Sequence, residues 1–310
     1  MNSNKIKVVG VGGSGCNAIS RMMKCKIKGV EMIAVNADAQ DLQKARAHRK
    51  VRIGKKITKG LGTGMNPEIG QKAAEEQRED LEEALAGADI VFVTCGLGGG
   101  CGSGASSVVA EIAKKNGALT IAVVTKPFSF EGDQRAEIAL NSLRKLKDKV
   151  DTLIAISNDK LFSILEPKTT VVSAFWFCDE ILRQAVQGIS DLIVLPGIIN
   201  IDFADVKAIM KNSGFALFGI GISNGPERAK EAAQKALSSP LLDISSKGAK
   251  RVLFNISGGK DISLSEIDEA AKIITQQVSP EAKSVFGAIQ DEKLKKGEIK
   301  VTVVATGFSL

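Results

Sequence analysis

Two glycine-rich segments of this chain carry the residue types best suited to binding a charged ligand. The denser one spans 96–104, reads Gly-Leu-Gly-Gly-Gly-Cys-Gly-Ser-Gly, and directly follows the apolar run 88–94. Because glycine lacks a Cβ atom, such a loop can adopt positive φ and bring backbone N–H groups close to a ligand. A row of N–H groups at the start of a helix binds anions. The segment therefore predicts a phosphate site, with a nucleotide as its ligand.

The other segment, 10–15, reads Gly-Val-Gly-Gly-Ser-Gly and fits the G-x-G-x-x-G pattern of dinucleotide-binding folds. Asp38 follows the next predicted strand, at a position where an acidic residue would hold a ribose. The pattern is weak on its own, because tight packing of a strand on a helix also requires glycine. It leaves a nicotinamide-dependent oxidoreductase as an alternative.

The presence of two such loops favours a different ligand. Loops that follow parallel strands emerge at the carboxyl edge of the sheet, so 10–15 and 96–104 can surround one triphosphate from two sides. The turn at 60–64, with Asn66 and Pro67, is expected to supply a third, flexible segment nearby. No G-x-x-x-x-G-K-[ST] sequence occurs, so backbone amides rather than a lysine would hold the phosphates.

The elements around these loops predict a doubly wound α/β domain with a parallel sheet, because short apolar strands alternate with helices. The predicted strands are 5–11, 30–35, 89–94, 119–124 and 151–156, and the predicted helices are 16–23, 67–86, 105–116 and 134–147. One long helix is predicted over 170–195, ended by Pro196. From about residue 196 the pattern predicts a smaller α/β domain with a mixed or antiparallel sheet, comprising strands 214–222, 250–257, 284–289 and 298–306 and helices 226–236 and 264–276.

Composition restricts the functional class. The 310 residues exceed one ordinary domain, and no apolar run is long enough to span a bilayer. The N-terminus lacks the features of a secretory signal, and five cysteines without metal-ligand spacing predict free thiols in a reducing cytosol. The net charge of +7 includes a basic stretch at 44–59, interpreted as a solvated loop and edge strand in preference to a polyanion site. Low aromatic content argues against single-stranded nucleic acid as a ligand. The single histidine, His48, lies in the basic stretch away from both glycine segments, which argues against Ser/His/Asp catalysis.

Several motifs together resemble a known family. Residues 98–104, Gly-Gly-Gly-Cys-Gly-Ser-Gly, resemble the tubulin signature G-G-G-T-G-T-G in the form carried by FtsZ proteins, the bacterial tubulin-like cell-division GTPases. Further matches, in the order of the family, lie at 7–18, 35–40, 125–132, 185–192 and 200–206. The resemblance covers nearly the whole chain. It implies a GTP-binding domain at 1–170, a central helix at 171–195 and a C-terminal α/β domain at 196–310, and it places Asp38 near the phosphate loops rather than at a ribose.

The resemblance implies a GTP/GDP site, with Mg²⁺ bound alongside the nucleotide and no separate metal cage. Carried over by motif, the nucleotide-binding residues are Gly13, Ser14, Gly15, Cys16, Asn17, Gly99, Gly100, Cys101, Gly102, Glu131, Arg135, Phe175 and Asp179. Asp179 matches the carboxylate that reads guanine, since it can accept hydrogen bonds from the N1–H and 2-amino groups that adenine does not offer as a pair. Phe175 would pack against the base. Glu131 and Arg135 would contact the ribose, the alternative being an ordinary i,i+4 ion pair.

The same resemblance implies catalytic roles for Asn200, Asp202 and Asp205. Two carboxylates can orient and polarise a water in line with a γ-phosphate, although Asp202 is equally suited to cap a helix. In the family this loop reaches the GTP of the next subunit, so that hydrolysis requires head-to-tail filaments, which are open heterologous assemblies. Asn200 would help to place the loop.

The chain departs from the family pattern at Ser14, Cys16, Cys101 and Ser103. A thiol is a weaker hydrogen-bonding group than a hydroxyl, so a GTP-binding polymer with little hydrolysis is a further alternative. The resemblance also implies a cytoplasmic protein of the mid-cell division ring that makes no direct contact with membrane or nucleic acid. The tail through which the family recruits membrane-tethering and regulatory division proteins is expected to be absent.

Overall fold

The computed structural model describes residues 4–25, 27, 29–163, 165–166, 168–238, 248–291 and 293–308. Contacts divide the chain into two compact units, 1–190 and 191–310, which are described one at a time.

The first unit is built on a six-stranded parallel sheet. Its strands are β1 (Ile6–Val11), β2 (Val30–Asn36), β3 (Arg49–Arg52), β4 (Ile90–Gly96), β5 (Leu119–Lys126) and β6 (Thr152–Ser157). They follow the order β3-β2-β1-β4-β5-β6, and all five pairings are parallel. The predicted doubly wound parallel sheet is confirmed. The strand order reverses between β1 and β4, and such a reversal opens a crevice at the carboxyl edge of the sheet.

The helices of this unit begin and end differently from their predictions. The helices are α1 (Gly12–Lys24), α2 (Ala39–Lys44), α3 (Pro67–Glu76), α4 (Arg78–Leu85), α5 (Gly100–Lys115) and α6 (Asp133–Lys147). Helices α1 and α5 begin inside the glycine segments, several residues before the predicted starts. The single helix predicted over 67–86 is two helices, interrupted at Gln77, whose side-chain oxygen accepts a hydrogen bond from the Lys55 N–H (3.2 Å).

The long helix is present as α7 (Val171–Val194), close to its predicted limits. The hydroxyl of Thr170 accepts a hydrogen bond from the Ser173 N–H (3.2 Å) at its start, and Pro196 follows its end. Even with α7 included, no helix in the described part of the chain is both long and apolar enough to cross a membrane.

The second unit contains a four-stranded mixed sheet, as predicted. Its strands are β7 (Gly214–Asn224), β8 (Arg251–Gly258), β9 (Lys283–Gln290) and β10 (Glu298–Thr306), and its helices are α8 (Phe203–Met210), α9 (Arg228–Leu237) and α10 (Leu264–Gln276). The strand order is β7-β10-β8-β9, with β10 antiparallel to both neighbours and β8 parallel to β9. Gly219 and Gly221 allow α9 to approach β7, because a Cβ at either would collide with a carbonyl oxygen of that helix.

The basic stretch forms an edge of the first sheet. Strand β3 pairs only with β2 among the described strands. Arg49 lies 2.9 Å from Glu83 and Lys55 lies 2.8 Å from Asp80, so part of the basic charge is paired within the unit. The edge-strand interpretation is confirmed.

One carboxylate joins three elements on the helical face of the first unit. Glu111 on α5 contacts Arg78 of α4 at 3.1 Å, Lys115 at 2.8 Å, and Lys149, which precedes β6, at 2.6 Å. Hydrogen bonds from Lys115, Lys149 and Arg78 lower the pKa of Glu111 to about 2. Because the pKa is lowered on folding, the stabilisation is present above the pKa of an unfolded glutamate and is lost as pH falls through about 2.

We expect Glu111→Gln to lower the free energy of unfolding by about 1–2 kcal/mol at neutral pH, since part of the interaction is screened by solvent. The difference from the unsubstituted chain should shrink as pH falls below about 4.5. Urea denaturation at several pH values measures both effects. Glu137→Gln removes the same charge from an exposed position on α6 and serves as the control. Equal losses in both variants would show that the three-cation contact does not stabilise the fold.

Candidate functional site

A cavity of about 500 Å³ opens at the carboxyl edge of β1 and β4, within the first unit. This is the crevice that the reversal of strand order predicts. Segments from several loops form its wall: Val11–Ser14, Asn36, Asp38, Asp41, Leu61–Met65, Gly96, Leu97, Gly99–Gly102, Thr125, Pro127, Glu131, Arg135, Asn158, Phe175, Cys178 and Asp179. Both glycine segments and the turn at 60–64 therefore surround one space, as the sequence predicts.

Two helix N-termini open onto the cavity without side-chain caps. The N-cap residues are Val11 for α1 and Gly99 for α5, and neither has a side-chain acceptor for the first N–H groups of its helix. The first N–H groups of both helices are thus available to an anion, and the helix dipoles favour negative charge there. The Gly98 N–H, which precedes the N-cap residue, is already engaged, because it donates to the Ser103 hydroxyl (2.9 Å). Ser103, at a signature threonine position, therefore braces the loop.

Most glycines of the signature segment serve close packing rather than ligand approach. A Cβ at Gly102 would lie 2.7 Å from the Gly96 carbonyl oxygen, and one at Gly104 would collide with the Pro67 carbonyl oxygen. A Cβ at Gly12, whose φ is +72°, would lie 2.8 Å from the Gly102 nitrogen. Gly99 differs, since no atom lies within 4 Å of the position that its Cβ would take.

The third segment leads into helix α3, whose N-terminus is capped by a side chain. The Asn66 side chain accepts hydrogen bonds from the Glu68 N–H (2.9 Å) and the Ile69 N–H (3.2 Å), with Pro67 in the first turn of α3. These contacts follow the preference of asparagine for the N-cap and of proline for the first helical turn. Asn66 and Pro67 therefore form the capped start of α3, and the flexibility expected of this segment stays a prediction.

Ten of the thirteen nucleotide-binding candidates lie on the cavity wall: Gly13, Ser14, Gly99, Gly100, Cys101, Gly102, Glu131, Arg135, Phe175 and Asp179. The structure does not place Gly15, Cys16 or Asn17 there. Gly15 packs against β4, with the Thr94 carbonyl oxygen 2.6 Å from its would-be Cβ. Cys16 is buried, and its thiol faces the carbonyl oxygens of Gly10 (3.9 Å) and Val35 (3.7 Å). Asn17 is exposed on α1.

Six polar residues on the wall were not among the candidates: Asn36, Asp38, Asp41, Thr63, Thr125 and Asn158. Asn36 is 2% exposed and Asn158 is 4% exposed. Within the described residues, Asn36 Nδ2 and Asn158 Oδ1 have no hydrogen-bond partner. Buried polar atoms normally have partners, so these two point to a polar ligand. Their positions at the ends of β2 and β6 were the available signal, because ligands bind beyond the carboxyl ends of parallel strands.

Phe175 adds an aromatic ring to the cavity wall. Phe175 on α7 meets the buried Phe128 edge-on, with ring centroids 5.5 Å apart, and Phe130 stacks on Phe128 at 5.0 Å. Glu131 and Arg135 do form an i,i+4 ion pair at 3.6 Å, and Glu131 also accepts a hydrogen bond from the Phe128 N–H (2.9 Å). A flat base could lie beside Phe175, with Glu131 and Arg135 adjacent.

Asp179 is a buried carboxylate at this aromatic end of the cavity. Burial raises its pKa to about 6, although Arg21 on α1 opposes the shift by donating a hydrogen bond from Nε to Oδ2 (2.9 Å). No sequence pattern links Arg21 and Asp179, since 158 positions separate the two residues.

Two cysteines lie on the cavity wall, and burial makes their thiols poor nucleophiles. Burial raises the pKa of Cys101 to about 11 and that of Cys178 to about 12. Cys16 and Cys95, which are buried elsewhere, also have pKa values raised by burial to about 12. Cys25 is exposed. Since the thiolate is the reactive form, Cys25 should react first with an alkylating reagent.

The three catalytic candidates lie in the second unit. Asp202 is the exposed N-cap residue of α8, but its side chain makes no capping hydrogen bond, and Asp205 lies in the first turn. Among the described residues neither carboxylate has a hydrogen bond or ion pair. Asn200 Oδ1 accepts a hydrogen bond from the Gly197 N–H (2.7 Å), which fixes the turn before the helix.

We expect Gly99→Ala to weaken ligand binding and Gly104→Ala to weaken the fold. The Gly99 backbone (φ −96°, ψ 169°) suits alanine, so its methyl should leave stability almost unchanged, enter the cavity and weaken GDP binding about tenfold or more. Gly104→Ala should lower the free energy of unfolding by about 1–3 kcal/mol. Thermal denaturation and GDP titration of both variants measure the contrast. Unchanged GDP affinity in Gly99→Ala would contradict an anion site at α5.

Alkylation should modify Cys25 rapidly without affecting nucleotide binding. In Cys25→Ser, we expect slow labelling of Cys101 that accelerates as pH rises towards its pKa and is slowed by bound GDP. Mass spectrometry of the labelled peptides gives the rates. The same Cys101 rate with and without GDP would argue against a nucleotide at this wall.

Comparison with known proteins agrees with this geometry. The profile of the Tubulin/FtsZ family, GTPase domain, matches residues 5–166, and that of the FtsZ family, C-terminal domain, matches residues 214–309. An FtsZ dimer, empty, from M. jannaschii is 47% identical with a TM-score of 0.94, over 99% of this chain and 89% of that chain. A point mutant of M. jannaschii FtsZ gives the same identity and TM-score, over 99% and 92%.

A more distant structure shares the fold. CetZ2 from Haloferax volcanii, described as a GTPγS-bound protofilament, is 22% identical with a TM-score of 0.82, over 97% of this chain and 92% of that chain. The two profile matches and the 47% identity over nearly the whole chain assign the chain to a family of GTPases. They contradict the alternative of a nicotinamide-dependent oxidoreductase. This chain belongs to the FtsZ family of tubulin-like cytoskeletal GTPases.

Proposed function

We propose that the chain binds GTP and GDP in the cavity of the first unit and hydrolyses GTP within head-to-tail filaments of a cell-division ring. The arrangement of the cavity carries this proposal. Two uncapped helix N-termini and a buried carboxylate, that of Asp179, line the same cavity. This combination suits a ligand with a polyanionic end and a hydrogen-bond-donating base.

The phosphates would lie against the first turns of α1 and α5. Gly13, Ser14 and Gly99–Gly102 supply backbone N–H groups there, and Gly99 leaves open space in front of them. Arg135 is the one lysine or arginine on the described wall, so backbone dipoles would provide most of the favourable potential. The unpartnered Asn36 Nδ2 can donate one further hydrogen bond to a phosphate oxygen.

The base would lie beside Phe175 and be read by Asp179. An ionised carboxylate accepts from guanine N1–H and the 2-amino group, whereas adenine would supply no such pair of donors beside the hydrogen bond from Arg21. That loss costs about 1–3 kcal/mol or more and favours GTP over ATP.

A magnesium ion would be held jointly by the nucleotide and the protein. The described residues contain no group of three or more His, Cys, Asp or Glu that could hold a metal by themselves. Asp38 and Asp41 line the cavity beside the glycine loops, with their Oδ2 atoms near the would-be Cβ positions of Gly62 (3.7 Å) and Gly13 (3.6 Å). Mg²⁺ typically binds one or two carboxylates together with phosphates, and when bound it neutralises charge on the transferring group. Asp38 and Asp41 fit that role.

Hydrolysis would use Asp202 and Asp205 of a neighbouring copy. Their carboxylates are free of partners within the described residues, as groups that must orient an external water should be. Asn200 holds the preceding turn. The dimer and protofilament of the related structures are consistent with self-association of this chain. In this proposal the protein acts in the cytoplasm at mid-cell, with membrane-tethering and regulatory division proteins as partners.

One observation favours slow turnover as a second candidate. Cys101 lies on the phosphate side of the wall, and burial keeps its thiol protonated at neutral pH. The side chain therefore offers a phosphate or magnesium ion only the weak hydrogen bonding of a neutral thiol. A polymer that binds GTP but hydrolyses it slowly would result.

A mixing experiment tests whether the site is shared between copies. We expect Asp205→Ala to polymerise with GTP but release little phosphate, and Gly99→Ala to bind GTP poorly. An equimolar mixture should hydrolyse GTP faster than either variant alone, because GTP on Asp205→Ala meets an intact loop on Gly99→Ala. Light scattering and phosphate release measure the two steps.

Asp268→Ala, a charge-matched change at an exposed position of α10, is the control and should retain the rate of the unsubstituted chain. A mixture no faster than its components would contradict a shared site. Polymers of the unsubstituted chain without phosphate release would support the slow-turnover candidate.

A further inference from the structure

The surface of α7 beside the cavity carries the single tryptophan of the chain. Trp176 is 44% exposed, and Phe177 meets its ring edge-on at 5.4 Å. From the sequence these two side chains are expected only to pack. The structure adds a charged contact, because the Arg21 guanidinium carbon lies 5.2 Å from the centroid of the Trp176 ring. That distance is within the range of a cation–π interaction.

The same guanidinium contacts Asp179. Arg21 Nε donates to Asp179 Oδ2 at 2.9 Å, and the two side chains are 29% and 11% exposed. Arg21 therefore contacts both an indole ring and the buried carboxylate of the proposed base site. The three residues come from two helices, and Trp176 and Asp179 are one turn apart on α7, so the indole and the carboxylate can share one cation.

We propose that Arg21 is a positioning residue of the base site, which is held by Trp176 and in turn fixes Asp179 as an ionised acceptor for guanine. This rests on the proposed reading of guanine by Asp179. Arg21 would act through Asp179 and need not touch the nucleotide.

The physical argument is a balance of burial against charge. Burial raises the pKa of Asp179, and the hydrogen bond and charge of Arg21 are what lower it. Without Arg21 the carboxyl group would take up a proton at higher pH. A protonated carboxyl donates where guanine also donates, so it cannot accept both base hydrogens. Guanine affinity should therefore depend on pH, with Arg21 setting the midpoint.

One further cation, Arg183, lies one turn along α7 from Asp179, and its guanidinium contacts Glu180. Cys178 and Glu180 adjoin Asp179 on α7, and Glu131 lies near Cys178. Glu180 is also within electrostatic range of Arg21, so Arg21 compensates more than one carboxylate. Arg135 is engaged by Glu131 at 3.6 Å.

A fluorescence titration tests the contact without any nucleotide. The chain has one tryptophan and no tyrosine, so its intrinsic emission reports on Trp176. We expect the emission to titrate with a midpoint near 6, as Asp179 takes up a proton and releases its hold on Arg21. Asp179→Asn should abolish this transition. His48→Gln, which removes the only histidine, should leave it unchanged. A transition that persists in Asp179→Asn would overturn the proposed link between these residues.

A binding experiment tests the role. We expect GDP affinity of the unsubstituted chain to fall as pH drops below about 6. In Arg21→Met the midpoint should move up by about one pH unit. GDP binding should then be about twofold weaker at pH 7 and about fivefold weaker at pH 6, and it should recover in alkaline solution. In Arg21→Lys the midpoint should lie between those of the unsubstituted chain and Arg21→Met. In Trp176→Leu the midpoint should also move up, but by less than in Arg21→Met.

A uniform loss of GDP affinity at every pH in Arg21→Met would mean a merely structural role and would overturn the inference. No preference of the unsubstituted chain for GDP over ADP would instead overturn the proposed function. In that case the nucleotide-free titration still decides whether Arg21 and Trp176 respond to Asp179.

Discussion

The candidate site depends on how closely two backbone turns approach one another. The turn after β1 and the turn after β4 meet at Gly12 and Gly102, where a single Cβ would lie 2.8 Å from a backbone nitrogen. Gly104 in turn allows α3 to lie against α5. These contacts bring two helix N-termini onto one cavity, and only backbone without side chains can pack this way. The arrangement proposed to bind anions is thus a consequence of main-chain packing.

This construction determines the electrostatics of the cavity. Its wall carries three carboxylates besides Glu131, namely Asp38, Asp41 and Asp179, against one guanidinium, that of Arg135. A polyphosphate would meet oriented peptide dipoles rather than lysines, and Asp38 and Asp41 would repel it unless a cation lay between. At the base site the cost of burying Asp179 is offset by Arg21, which comes from the helix that also offers its N-terminus to the phosphates.

The sequence predicted the sheet, the long helix and most of the cavity wall. Buried strands are continuous apolar runs, and glycine segments that directly follow them lie at the carboxyl edge of the sheet, where ligands bind. The sequence did not predict features set by distant contacts. Helix α5 begins inside its glycine run since packing against α3 outweighs poor helix propensity. The break at Gln77 has no proline or glycine to mark it and involves Lys55. Arg21 and Asp179 are joined across 158 positions.

The position of β10 in the second sheet has a consequence for biosynthesis. This strand, the last that the structure describes, lies between β7 and β8 and pairs with both, whereas all six strands of the first sheet precede residue 158. A ribosome delivers the chain from its N-terminus, so the first unit can fold while the second still lacks its middle strand. Until Glu298–Thr306 emerges, β7 and β8 expose unpaired edges that invite aggregation. A ribosome that pauses before it has translated β10 would therefore prolong the time during which the edges of β7 and β8 are accessible to chaperones or to other chains.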